Sequence, residues 1–196
     1  MAAEERRERE RFARRQLIIA TARKLAEAEG WDAVTTRRLS TEIEYSQPVL
    51  YKHFAGMEQI AEAIALEGFG ELADAIRAAR ADTDAAGDAL TRTAHAYLDF
   101  AREHPAVYDA MFTRATTLGF AAADTPAPLS AAFAELRQAV GLVTADQDLD
   151  ALTEVLWAAL HGLVTLGRSY RLRPGYDSDR VQLLVEQFTS RQQEVR

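Results

Sequence analysis

Residues 45–56 read YSQPVLYKHFAG. Ser46 is a good N-cap and Pro48 falls in the first turn, where a missing N–H is tolerated. The stretch therefore reads as a helix barely two turns long. Its only large apolar residues on one face are Leu50 and Phe54, at i and i+4. With those two as anchors, Gln47, Pro48, Val49, Tyr51, Lys52 and His53 point elsewhere, and a core helix has little use for such a set of hydrogen-bonding side chains.

Working outward, Thr35 is an N-cap for a short helix over 36–43, with Leu39 and Ile43 as its inward pair. Upstream, a long helix over 8–29 puts Ile18, Ala22, Leu25 and Ala26 on one face and stops at Gly30, with Trp31 and Val34 closing over it. Downstream, Ala55-Gly56 ends the unit and a helix over 57–80 carries Ile60, Ile64, Leu72 and Ile76. Further helices are expected over 89–103, in PAVYDAMF after Pro105, and over 129–143, 148–171 and 179–193, with a mobile connection over 113–128. The fold class is all-α, with residues 1–56 as a three-helix head and 57–196 as a helical bundle.

Two short helices joined by IEYS, the second of them polar, have the dimensions of a helix-turn-helix. A helix about 10–12 Å across fits the B-DNA major groove, where the Gln47 amide can pair with adenine, Pro48 and Val49 can meet thymine methyls, and Tyr51, Lys52 and His53 can reach phosphates. The spacing alone fits a capped surface helix in an ordinary bundle just as well.

Charge leans one way. The chain of 196 residues has a formal net charge of −7, yet residues 1–56 carry 11 Lys+Arg against 9 Asp+Glu, leaving 12 against 21 for the rest. An electropositive head on an acidic body suits a polyanion partner. There is no cysteine, hence no disulfide framework, thiolate metal site or Cys nucleophile. The first residues, MAAEERRERERFARR, lack the apolar stretch of a signal peptide, so a cytoplasmic protein is expected. The most apolar run, VLWAALHGLVTLG, has 13 residues between Glu154 and Arg168, whereas a membrane span needs about 20. A buried helix and no membrane partner are expected there.

The string TTRRLSTEIEYSQPVLYKHF (35–54), preceded by A-x-x-L-x-x-x-x-G ending at Gly30, resembles the N-terminal domain of the TetR-family transcriptional repressors over about the first 60 residues. The resemblance implies that Thr36 contacts a phosphate and Arg37 a base edge or phosphate. Gln47, Pro48 and Val49 would read bases, and Tyr51, Lys52 and His53 would contact the backbone, Tyr51 touching a base as well. Ser46 completes this DNA-facing set. Two positions depart from the family pattern: Glu44 stands where a turn Gly is usual, and Met57 where a phosphate-contacting Lys is common. The Arg-rich stretch Arg6 to Arg15 is expected to compensate.

The C-terminal part resembles the type of TetR ligand-binding domain with a Trp, His, Gly signature, through W157-A-A-L-H161-G162 and YLDFAREHPAVYDAMF (97–112). That implies a regulatory body whose last two helices pair with their symmetry mates in a homodimer. Tyr97, Phe100, Tyr108, Met111, Phe112, Trp157 and His161 can each be plain core packing; as a set they can line a pocket for an apolar or aromatic small-molecule effector. His95, Asp99 and Glu103 share a helix face that fits an exposed charged stripe or, less simply, a metal or acid/base site. No Gly-rich phosphate loop, G-x-S-x-G elbow or H-E-x-x-H occurs, so no enzyme, cofactor or metal is expected. The expected function is a ligand-responsive repressor that binds a near-palindromic double-stranded operator as a homodimer. The rival readings are a small-molecule binding protein with a degenerate head and a helical-bundle enzyme.

Overall fold

The computed structural model describes residues 1–81, 83, 85–115, 118–119, 125–144 and 148–190. Among them are nine α-helices and no strand, in agreement with an all-α reading. Within the connection expected to be mobile, residues 116, 117 and 120–124 lie outside the described residues, as does the expected end of the last helix at Gln193. The chain divides into two compact units, 1–68 with 104–119, and 69–103 with 120–196.

The first unit is built on α1 (Ala2–Glu29), a 3-10 turn at Trp31–Ala33, α2 (Thr36–Glu42), α3 (Gln47–Tyr51) and the start of α4 (Met57–Ala81). α1 begins a turn and a half earlier than its apolar pattern suggests, because Glu4 and Glu5 complement its N-terminus and Arg6 pairs with Glu10 at 3.7 Å. Its inner face is the expected one: Ile18, Ala22, Leu25 and Ala26 are buried, and Trp31, Val34, Leu39, Ile43, Leu50, Phe54, Ile60 and Ile64 complete the core. Burying an aliphatic side chain stabilises by about 1.5–3 kcal/mol, so this set outweighs the weak intrinsic stability of helices as short as α2 and α3.

A later segment joins this unit. α6 (Pro105–Asp109) runs into a π turn at Ala110–Arg114, closed by the Ala115 N–H donating to the Ala110 carbonyl at 2.9 Å. The Glu27 carboxylate accepts from the N–H groups of Ala106 and Val107 at 3.0 and 3.1 Å, satisfying two of the orphan donors at the start of α6. Trp31 Nε1 donates to the Ala106 carbonyl at 2.9 Å. At Gly68 on α4, a Cβ would meet Met111 Sδ at 2.9 Å, with Val107 closer still, so a larger residue has no room there.

The second unit holds the rest of α4, α5 (Ala86–Glu103), α7 (Ala127–Gly141), α8 (Leu149–Arg168) and α9 (Asp177–Thr189). Leu72, Ile76, Leu90, Tyr97, Leu129, Leu136, Leu156, Leu160 and Val181 form its core. The buried Glu135 of α7 is held from α4 by Arg77, at 2.8 Å, and by Arg80. The run expected to be a buried helix is part of the 20-residue α8, which is long and apolar enough to cross a membrane by length and composition, and it is buried along one side only. Thr153, Leu156, Leu160 and Val164 face inward, while Val155 and Leu166 are exposed on another side. The helix is apolar on more than one face, which the 13-residue run did not reveal.

Both α2 and α8 end in the same device. The Tyr45 N–H donates to the Ser40 carbonyl and the Glu44 N–H to that of Thr41, the paired bonds of a Schellman motif, with Glu44 in the left-handed region at φ 55. At the end of α8, Tyr170 takes that place at φ 56. The turn between α2 and α3 thus keeps the geometry that favours glycine and forces Glu into it. Glu44→Gly is expected to stabilise the fold by about 1 kcal/mol, measured by urea unfolding; a loss of stability would show that the Glu44 side chain makes a compensating contact.

Candidate nucleic-acid interface

α3 is held from one side. Leu50 and Phe54 are 2% and 3% exposed, whereas Ser46, Gln47, Pro48, Tyr51 and Lys52 are exposed and Val49 and His53 half-buried. The roll of the helix follows from its two anchors, and one continuous polar surface results. Ser46 occupies the N-cap position by backbone, but its hydroxyl makes no cap bond, contrary to the capping role its sequence position suggests. The first turn is instead closed by the Val49 N–H on the Ser46 carbonyl at 2.9 Å. The Ser46 hydroxyl remains on the exposed surface beside Gln47.

On α2, the Thr35 hydroxyl accepts from the Arg38 N–H at 3.1 Å, the expected cap. Thr36 is half-buried and Arg37 exposed. The neighbouring Arg38 is engaged with Glu42 at 2.8 Å and Glu29 at 3.0 Å, which raises its pKa, chiefly through the Glu42 hydrogen bond. Both adjacent arginines are exposed, and Arg38 is the one tied to Glu29 and Glu42. α4 starts with the Gln59 side chain accepting from the Ala55 N–H at 2.8 Å, next to a half-buried Met57.

The Arg-rich stretch is brought to the end of α3. His53 has its pKa lowered, first by burial and then by the charges of Arg11, Arg14, Arg15 and Lys52. Arg11 and Arg14 are exposed, and with Lys52 they form a cationic patch that the sequence located only as a charged arm. A cluster of this kind suits phosphate oxygens.

The expected effector residues fall into two groups. In the second unit, Trp157 Nε1 donates to the Tyr97 hydroxyl at 3.2 Å, and the Phe133 ring lies edge-on to Trp157 at 6.4 Å; Phe133 carried no signal in the sequence beyond its apolarity. Phe100 is buried, and burial lowers the pKa of the half-buried His161. Tyr108, Met111 and Phe112 belong to the first unit, with the Tyr108 and Phe112 rings 4.6 Å apart. On α5, Asp99 pairs with Arg102, and among the described residues no three His, Cys, Asp or Glu side chains come together as a metal site.

This geometry defines a helix-turn-helix head followed by a helical body. Residues 18–64 match the family model described as bacterial regulatory proteins, tetR family, and residues 90–188 match that of the tetracyclin repressor-like C-terminal domain. The chain is 31% identical over 157 residues to the uncharacterized HTH-type transcriptional regulator Rv0681 of Mycobacterium tuberculosis, covering 78% of this chain and 69% of that one. It is 35% identical over 99 residues to the uncharacterized HTH-type transcriptional regulator YobS of Bacillus subtilis, a match spanning 48% of this chain and about half, 49%, of that relative. Its fold is similar to that of BioQ crystallised with its natural double-stranded DNA operator, with a TM-score of 0.66 at 21% identity over 90% of this chain and 98% of the other. The chain belongs to the TetR family of helix-turn-helix transcriptional regulators.

Two outcomes test the assignment of side chains. Gln47→Ala is expected to relax base preference at one half-site position, at a cost of about 1–3 kcal/mol on the preferred sequence, while Lys52→Ala weakens all sequences nearly alike; equal behaviour in a competition binding assay would contradict the division of roles. His53 supplies the second. Burial and the neighbouring cations lower its pKa, whereas a phosphate beside it would favour the charged form, so binding is expected to take up a proton. Operator affinity should rise as pH falls from about 8 to about 6, and His53→Gln should flatten that rise. The folded head alone behaves oppositely: an imidazole harder to protonate when folded contributes stability above its unfolded pKa, which is lost as pH falls through the folded value.

Proposed function

We propose that this regulator is a repressor acting in the cytoplasm. It binds a near-palindromic operator as a homodimer and is released by a small-molecule effector, with residues 1–56 as the DNA-reading head and 57–196 as the ligand-binding and dimerisation body. The observation that carries the reading is the polar face of α3, with Gln47, Tyr51 and Lys52 exposed above the buried Leu50 and Phe54. Thr36, Arg37, Ser46, Pro48, Val49 and His53 border that face.

Dimerisation is supported by magnitude and by surface. A base contact discriminates by about 1–3 kcal/mol, so one short helix is insufficient, whereas two read half-sites about 34–36 Å apart. Val155 (58% exposed) and Leu166 on α8, and Leu183 (60%) on α9, are apolar and exposed, and a Cβ placed at Gly162 would meet nothing within 4 Å. A second copy covering these helices accounts for the uncovered side of α8. BioQ was crystallised with an operator, which favours the same use of this fold.

For the effector, the Tyr97–Trp157 pair with Phe100 and a neutral His161 suits an apolar or aromatic molecule carrying a hydrogen-bonding group. Tyr108, Met111 and Phe112, in the first unit, are a separate candidate group. A ligand that prefers the non-operator conformation lowers DNA affinity by the same coupling free energy. α4 is the natural lever, because its residues belong to both units.

Selection from random duplexes by the unaltered chain should return a near-palindrome, bound with an affinity that falls steeply with salt; no selected sequence even at low salt would overturn repression. Leu183→Glu should shift the chain towards monomer in sedimentation equilibrium, by about 1.5–3 kcal/mol for each lost leucine burial, and weaken operator binding with it. An unchanged dimer would place the interface elsewhere.

A further inference from the structure

The Arg-rich stretch does not present all its guanidinium groups alike. Arg11 and Arg14 are exposed, but Arg15 is half-buried: its Nη1 donates to the His53 carbonyl at 3.1 Å, and its central guanidinium carbon lies over the Phe54 ring, 4.1 Å from the centroid. Both partners stand at the C-terminal end of α3. That end needs a constraint, since α3 has only five residues and the second of its two apolar anchors, Phe54, follows its last residue by three. Leu50 and Phe54 set the roll of the helix, but on their own they leave its tilt about the line joining them free.

We propose that Arg15 is a positioning residue for base reading rather than a phosphate contact: it fixes the tilt of α3 by clamping the Phe54 ring and the His53 backbone to α1. The inference rests on α3 being the base-reading helix and adds a residue that works through it. The chemistry asks for arginine. A planar guanidinium stacks on an aromatic face while one of its N–H groups reaches a carbonyl, whereas a lysine ammonium is a point donor without a plane. A clamp of this kind leaves the count of phosphate contacts unchanged and acts on the difference between right and wrong sequences.

The test compares Arg14→Gln, Arg15→Gln and Arg15→Lys in the full chain, on the duplex the unaltered chain selects and on a scrambled duplex of equal length, across a salt series. Arg14→Gln should lower the salt slope by about 0.9 per protomer on both duplexes. Arg15→Gln should leave both slopes unchanged and reduce the ratio of selected to scrambled affinity by about tenfold, and Arg15→Lys, despite its charge, should not restore that ratio. A slope lowered by Arg15→Gln as by Arg14→Gln, or a ratio restored by Arg15→Lys, overturns the proposal. If Arg15→Gln fails to fold by circular dichroism, Arg15→Lys decides alone: a reduced ratio at unchanged slope supports the clamp, and an unaltered ratio refutes it. An unaltered chain that selects no sequence defeats the base-reading role of α3 itself, and that of Arg15 with it.

Discussion

Two side chains, Leu50 on the five-residue α3 and Phe54 three residues past its end, set the terms for the head. Leu50 and Phe54 are buried while their neighbours stay in water, so the orientation of Gln47, Tyr51 and Lys52 is a packing result rather than a property of α3. An isolated helix of that length has no stability in water. It exists because Leu50 and Phe54 are buried with the rest of the head's core, Ile18, Leu39, Ile43 and Ile60 among it, and because the turn before it is closed by paired backbone bonds.

Much of this was legible in the residues. The i, i+4 spacings of Leu39 with Ile43 and of Leu50 with Phe54, the Thr35 cap and the stop at Gly30 are local signals that a short window contains. Position 44 stood out only through the family resemblance, which puts a glycine in that turn. The chain has Glu there at φ 55, keeping the turn without the glycine. What escaped was tertiary. That Arg15 turns onto Phe54 while Arg14 stays outside, or that Glu27 caps α6 from 79 residues away, depends on contacts no window encloses. Ser46 occupies its cap position without using its hydroxyl, a reminder that a cap residue marks a backbone position before it guarantees a bond.

α8 makes the same point about faces. A continuous apolar run does not say which side is covered, and here Leu156 and Leu160 are buried while Val155 and Leu166 are exposed. The proposed second copy would cover that exposed face, and it is the same copy that two half-sites require. The segment at 104–119 belongs to the first unit. It leaves the second unit at Glu103 and joins the first, where Gly68 admits it and Glu27 and Trp31 hold it.

The most direct measurement is nuclear magnetic resonance of the deuterated chain, with the Gln47 side-chain amide and the Leu50 methyl groups labelled, titrated with a selected duplex. The account predicts that the Gln47 amide protons shift and gain protection from exchange while the Leu50 methyls hold their positions and their contacts with Phe54. Perturbation concentrated on Leu50 and Phe54, or a Gln47 amide indifferent to DNA while another surface responds, would contradict it.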